Sequence, residues 1–284
     1  MHPLQVVLLG IIQGLTELLP VSSSAHVVVA EKLMGLDPSA PDMTLLLVML
    51  HTGTMFAVIV FFWTRWRETL RKQGSVKSYV GVLVLATIAT GVVGEALIKL
   101  IEKVWMRGVP HAEVELLFNH LELIAPALAL VGVLIMVAGL TEKSRAAGYG
   151  ELNAGRAGII GIVQGLCLPF RGFSRSGATI STGMLAGVNK VCAEDFSFAL
   201  AVIVTPAAIA REALRLVKAE HASSLSALGS SVGMSIFGAF CAFLAGIFAL
   251  KWLSRWLEAG RWYWFGIYCL IAASAVAYLH HAGF

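Results

Sequence analysis

Long apolar runs separated by short polar or charged loops set the pattern of this chain. A bilayer core is about 30 Å thick, and a helix needs about 20 apolar residues to cross it. Six stretches meet that requirement: 43–62, 79–98, 123–140, 196–210 running on to about 217, 231–250 and 263–279. Trp63, Trp66, Trp105, Trp252, Trp256, Trp262 and Trp264 fall at or near the ends of these stretches, where amphipathic rings settle at a membrane interface. The pattern predicts an all-α polytopic membrane protein, one membrane domain over 1–284, with about six transmembrane helices.

Two further apolar regions are broken in the middle. Residues 4–34 read as a short helix, the polar turn Pro20-Val21-Ser22-Ser23-Ser24, and a second short helix. Residues 157–188 read the same way around Pro169 to Ser176. Each arm has only about 10–14 residues, too few to span, so both regions are expected to be re-entrant helical hairpins. Non-helical backbone at that depth survives only when buried in protein or lining a wet cavity. The two regions also resemble each other. GIIQGL at 10–15 matches GIVQGL at 161–166, and PVSSSAH at 20–26 lies opposite GFSRSGA at 172–178. Three candidate spans follow each. The chain therefore divides into two copies of one unit, about 1–140 and 155–284. An odd number of crossings per copy makes the second start on the opposite side, giving inverted-topology repeats with a site near the midplane.

Composition agrees. The 284 residues are 58% hydrophobic and 13% charged, against roughly 25% charged in ordinary soluble domains. The net charge of +4 is spread between apolar runs, which excludes a nucleic-acid-binding face. Arg65, Arg67, Arg71, Lys77, Lys190, Lys251, Arg255 and Arg261 lie on one side, whereas the side carrying the N-terminus has fewer, among them Lys32, Lys99 and Lys103. The positive-inside rule places the first side in the cytoplasm and opens the first hairpin to the outside. Gln13 and Glu17 interrupt the apolar start, which argues against a signal peptide. Cys167, Cys192, Cys241 and Cys269 form no CxxC pair and are expected to act as small buried hydrophobes.

The polar residues of the broken regions carry the chemistry. Gln13 and Glu17 share one helical face, and a carboxylate inside a membrane marks a functional site by default. Ser22, Ser23, Ser24 and His26 follow. In the second region Arg175 stands between Ser174 and Ser176, with Gly172, Gly177 and Thr179 nearby. A helix beginning there aims backbone N–H groups at an anion, and the guanidinium is a forked donor suited to phosphate oxygens. One hairpin thus supplies a carboxylate, hydroxyls and an imidazole, and the other a phosphate cradle. These are the parts for phosphoryl transfer, although a transporter or flippase of an anionic lipid would use the same constellation. His51 could line the cavity or simply pack between helices. Glu194 and Asp195 are expected to favour the start of the next helix through its dipole.

QGLTELLPVSSSAH at 13–26 and RGFSRSGAT at 171–179 resemble the two signatures of the undecaprenyl-diphosphate phosphatases, the bacitracin-resistance family of bacterial inner membranes. Gln13 and Glu17 fit the family's first acidic pair, with Ser22, Ser23 and His26 after it. Gly172, Ser174, Arg175, Ser176 and Thr179 fit the second signature. Arg171 stands where the family usually has proline, and Gln13 leaves one fewer carboxylate. The resemblance implies hydrolysis of a C55 isoprenoid diphosphate to the monophosphate, which recycles the lipid carrier for peptidoglycan synthesis and confers bacitracin resistance. It further implies a divalent cation, Mg²⁺ or Ca²⁺, and a site at the outer face of the inner membrane. On that expectation Glu17, Ser23, His26 and Arg175 are catalytic. Ser22, Ser174, Ser176, Gly177 and Thr179 join Arg175 in holding phosphate, and Gln13 and Glu17 are the candidate metal ligands. Ser23 is the expected nucleophile with His26 activating it, water being the alternative. The polyisoprenyl diphosphate and membrane lipid are the expected partners, with a homodimer possible.

Overall fold

The computed structural model describes residues 2–37, 40–72, 76–105, 121–144, 150–220 and 228–282. Among them are ten α helices: α1 (Pro3–Leu18), α2 (Ser23–Leu33), α3 (Pro41–Lys72), α4 (Val76–Leu100), α5 (Leu121–Ser144), α6 (Ala154–Cys167), α7 (Arg175–Leu185), α8 (Lys190–Glu220), α9 (Leu228–Glu258) and α10 (Tyr263–His281). A short π-helical turn, Ile101–Trp105, continues α4. Five of these helices are long and apolar enough to cross a membrane, within α3, α4, α5, α9 and α10, which makes this a multi-pass membrane protein. α8 is 31 residues long with Pro206 inside it and contains the fourth run read from the sequence.

The two broken regions are the helix pairs α1–α2 and α6–α7, and each pair packs on itself. The sequence explains their ends. Pro3 sits in the first turn of α1, where its missing N–H is harmless; His2 Nδ1 accepts from the Leu4 N–H and Gln5 Oε1 accepts from the His2 N–H. Asn153 caps α6 and Ser174 caps α7 by accepting from backbone N–H groups. Pro20 stops α1 from continuing. At 11 residues each, α2 and α7 rise only roughly 17 Å.

Packing between the halves is reciprocal. α1 lies on α9 while its counterpart α6 lies on α4. α3 meets α9 as α8 meets α4, and α3–α8 and α5–α10 pair across the middle. The matched GIIQGL and GIVQGL segments serve this arrangement. A Cβ on Gly14 would stand 2.5 Å from the Ala242 carbonyl of α9, and one on Gly165 2.8 Å from the Thr90 carbonyl of α4. Small residues four apart let membrane helices pack backbone to backbone, and here the same pair does so twice.

Three expectations need correction. Trp262 is fully buried and donates to Ser181 Oγ at 2.9 Å, so it is a core residue rather than an interface anchor. The Trp105 side chain lies outside the described residues. Glu194 and Asp195 do more than face a helix dipole: Arg65 of α3 donates to them at 3.1 and 3.3 Å, and Ser254 of α9 donates to Glu194 at 2.7 Å. A carboxylate that is 1% exposed is tolerable only with such partners. Of the cysteines, all four free, Cys167 and Cys269 are buried and Cys192 and Cys241 only partly so.

Candidate active site between the hairpin tips

Glu17, in the last turn of α1, is the hub. Its Oε1 accepts from Arg175 Nη2 at 2.9 Å. Its Oε2 accepts from Ser23 Oγ at 2.5 Å and, at a long 3.4 Å, from Gln13 Nε2 one turn back. His51 of α3 brings Nε2 within 3.8 Å of the same oxygen. Glu17 and Arg175 are each about four-fifths buried. A carboxylate in such surroundings is unfavourable alone and is held here by a guanidinium from the other hairpin.

The tips are shaped to bring these groups together. Ser22, between α1 and α2, has φ +68°, a left-handed conformation that is uncommon without glycine and characteristic of strained functional turns. That turn starts α2 at Ser23 and faces its hydroxyl back to Glu17. In the second hairpin Gly172 has φ +96°, and a Cβ there would lie 2.5 Å from the Ile124 carbonyl of α5. Its N–H donates to Ser24 Oγ at 3.3 Å. Ser174 Oγ accepts from Gly177 N–H at 3.2 Å and lies 3.4 Å from Ser176 Oγ, which donates to the Leu19 carbonyl at 3.3 Å. The N-terminus of α7 therefore abuts the first tip, and its dipole favours negative charge there.

The sequence-predicted residues Gln13, Glu17, Ser22, Ser23, His26, Ser174, Arg175, Ser176 and Gly177 all lie at this junction. Thr179 is one turn deeper. Its hydroxyl donates to the Arg175 carbonyl at 2.8 Å and lies 2.6 Å from Ser197 Oγ of α8, so it braces the α7 N-terminus. Ser23 is not bonded to His26 as expected; its proton points to Glu17. His26 Nδ1 lies 2.7 Å from the Ser22 carbonyl, and Nε2 lies 2.7 Å from the Tyr268 hydroxyl of α10. Facing a carbonyl, Nδ1 carries the proton, so Nε2 accepts from tyrosine. Tyr268 was missed, because a tyrosine in an apolar run reads as an ordinary membrane residue. The same is true of Cys269, which donates to the Pro20 carbonyl at 3.3 Å.

The donor set also bears on a metal. Among the described residues no three His, Cys, Asp or Glu side chains gather around a cation position. Oxygen donors do gather: Glu17, the Gln13 amide and the serine hydroxyls. Mg²⁺ is commonly held by one or two carboxylates plus substrate phosphates. The site fits a hard cation that shares its ligands with a phosphorylated substrate.

The model of "Bacitracin resistance protein BacA" matches residues 6–275. The chain belongs to the BacA family. A relative from Acinetobacter baylyi named "Undecaprenyl-diphosphatase 2" is 55% identical over 280 residues, 97% of each chain. One from Desulfosudis oleivorans named "Undecaprenyl-diphosphatase" is 36% identical over 98% of this chain and 99% of its own. A third of the same name, from Rhodopirellula baltica, is 34% identical over 98% of both. The BacA match runs from within α1 to within α10 and takes in α2 to α9 whole.

Proposed function

We propose that this chain hydrolyses undecaprenyl diphosphate to undecaprenyl phosphate and inorganic phosphate, returning the lipid carrier to peptidoglycan synthesis and conferring bacitracin resistance. The observation that carries the proposal is the Glu17 carboxylate, which holds Arg175 on one oxygen and Ser23 on the other. The names of full-length relatives supply the substrate.

Phosphoryl transfer is governed by positioning and charge neutralisation. Arg175, Ser174, Ser176 and the α7 N-terminus receive the terminal phosphate, braced by Thr179, with Ser22 on the facing tip. Ser23 Oγ attacks the terminal phosphorus and passes its proton to Glu17. The anhydride P–O bond breaks, and the lipid monophosphate leaves with the bonding electron pair. Water then cleaves the phosphoserine, giving its proton to His26 Nε2 as Tyr268 swings aside; Glu17 returns its proton to Ser23, and His26 releases the water's proton to solvent as inorganic phosphate leaves. Glu17 and Gln13 would hold a divalent cation, Mg²⁺ or Ca²⁺, which would supply further neutralisation of the phosphate charge. The reciprocal packing and the charge asymmetry support inverted repeats with six spans in the bacterial inner membrane. They also support a pocket opening to the periplasmic side.

The test is phosphate release from undecaprenyl diphosphate by purified protein in detergent, with Mg²⁺ or Ca²⁺ and then with chelator. Arg175→Ala is the paired control. Metal-dependent release that the variant loses is the expected result. Folded wild-type protein that binds the lipid without releasing phosphate would favour a flippase instead.

A further inference from the structure

Glu31 is a charge the site above leaves unexplained. It lies in α2 at 0% exposure, and neither carboxylate oxygen has a hydrogen-bond partner. An ionised carboxylate so placed is tolerable only beside positive charge. Ser24, Val28 and Glu31 follow the i, i+4, i+7 spacing of a single helix face. The second hairpin touches that face, because the Gly172 N–H donates to Ser24 Oγ. Arg171 immediately precedes Gly172 and is half-buried. Its backbone starts beside Ser24, and Glu31 lies two turns, about 10 Å, further along the same face. An extended arginine crosses most of that gap, which brings the Arg171 guanidinium within electrostatic reach of Glu31, short of a hydrogen bond to either oxygen.

Arg171 occupies the position where the resembling signature has proline. Proline would stiffen the turn by fixing φ, so an arginine there calls for another restraint. The Glu17–Arg175 link cannot be that restraint throughout a turnover, because Arg175 has to face incoming phosphate.

We propose that Glu31 and Arg171 form a second charge pair between the hairpins. Both are positioning residues: they pin the turn before α7 to α2, and so hold the phosphate cradle in register while Arg175 exchanges Glu17 for substrate. The role in turnover rests on the phosphatase function proposed above; the pairing itself does not.

The experiment is a double-mutant cycle with E31Q, R171A and the combined variant, plus R171K, all purified in detergent. Thermal midpoint, kcat and KM for undecaprenyl diphosphate are measured for each. Each single variant should raise KM about tenfold with a smaller change in kcat, as expected when positioning and binding are lost. The combined variant should be no worse than the poorer single, and R171K should recover most of the loss. Should E31Q fail to fold, R171A against R171K carries the test. Multiplying effects in the combined variant would overturn the pair, and a lowered midpoint with unchanged KM would overturn the positioning role. Wild-type protein that releases no phosphate while the midpoints remain non-additive would sink the phosphatase proposal and leave the pair standing.

Discussion

The two hairpins are built on one scaffold and given different chemistry. Gly10 and Gly14 seat α1 on α9 much as Gly161 and Gly165 seat α6 on α4. Gln13 and Gln164 occupy the same place in each. Gln13 has Glu17 one turn later, whereas Gln164 has Leu168 there. As a result Gln13 bonds a carboxylate, while Gln164 is fully buried with neither amide atom partnered. The tips differ again: Ser23 in the first aligns with Arg175 in the second. Packing glycines are matched, and the charged groups are complementary. The two hairpins share packing positions and differ in chemistry at the tips, where they face each other.

That contrast can be broken experimentally, starting with the largest effect. Glu17→Gln should lower kcat/KM about a thousandfold or more, because Arg175 loses its counter-charge and Ser23 its proton acceptor. The matched Leu168→Gln should leave phosphate release nearly intact; equal losses would mean that Glu17 acts through packing alone. Gly14→Leu and Gly165→Leu should each destabilise by about 3 kcal/mol, since backbone atoms of α9 and α4 occupy the required space. Thermal melts in detergent read this, and a loss at one site only would end the claim of matched scaffolds. Tyr268→Phe keeps the ring against His26 but removes the hydroxyl that fixes the orientation of the imidazole before it accepts the proton, and should reduce kcat about tenfold with an unchanged melting point. The smallest effect belongs to Gln164→Leu. Removing a buried amide with no partner should be neutral or stabilising by about 1 kcal/mol, whereas Gln13→Leu should slow turnover.

The hairpins, and Glu17 and Arg175 as their functional residues, were legible in the sequence because polar residues stand out against apolar neighbours. A carboxylate and a guanidinium inside broken helices have few alternatives to each other. Residues that look ordinary in an apolar chain were not legible. Tyr268 reaches His26 across 242 positions and Cys269 reaches Pro20 across 249, and neither carries a local signal. His51 was visible as a polar residue in mid-span, but its approach to Glu17 depends on how α3 packs. Glu194 and Asp195 looked like helix-start residues, and only the α3–α8 packing shows Arg65 between them and Glu258. Trp262 was misplaced for a related reason: proximity to the end of a run does not say which side of the helix is covered.

The Glu17–Arg175 bond spans 158 positions, and that separation has a consequence for the chain as it is made. At roughly 5–20 residues per second, the ribosome delivers Arg175 some 8–30 s after Glu17. During that interval the first hairpin carries a carboxylate without its partner, in the least hospitable solvent of the cell. The nascent first half must wait at the lipid–water boundary, or beside whatever inserts it, until the second half supplies the charge that lets both tips sink. A fragment ending before α6 should therefore insert better with glutamine at position 17, the same change that silences the finished protein.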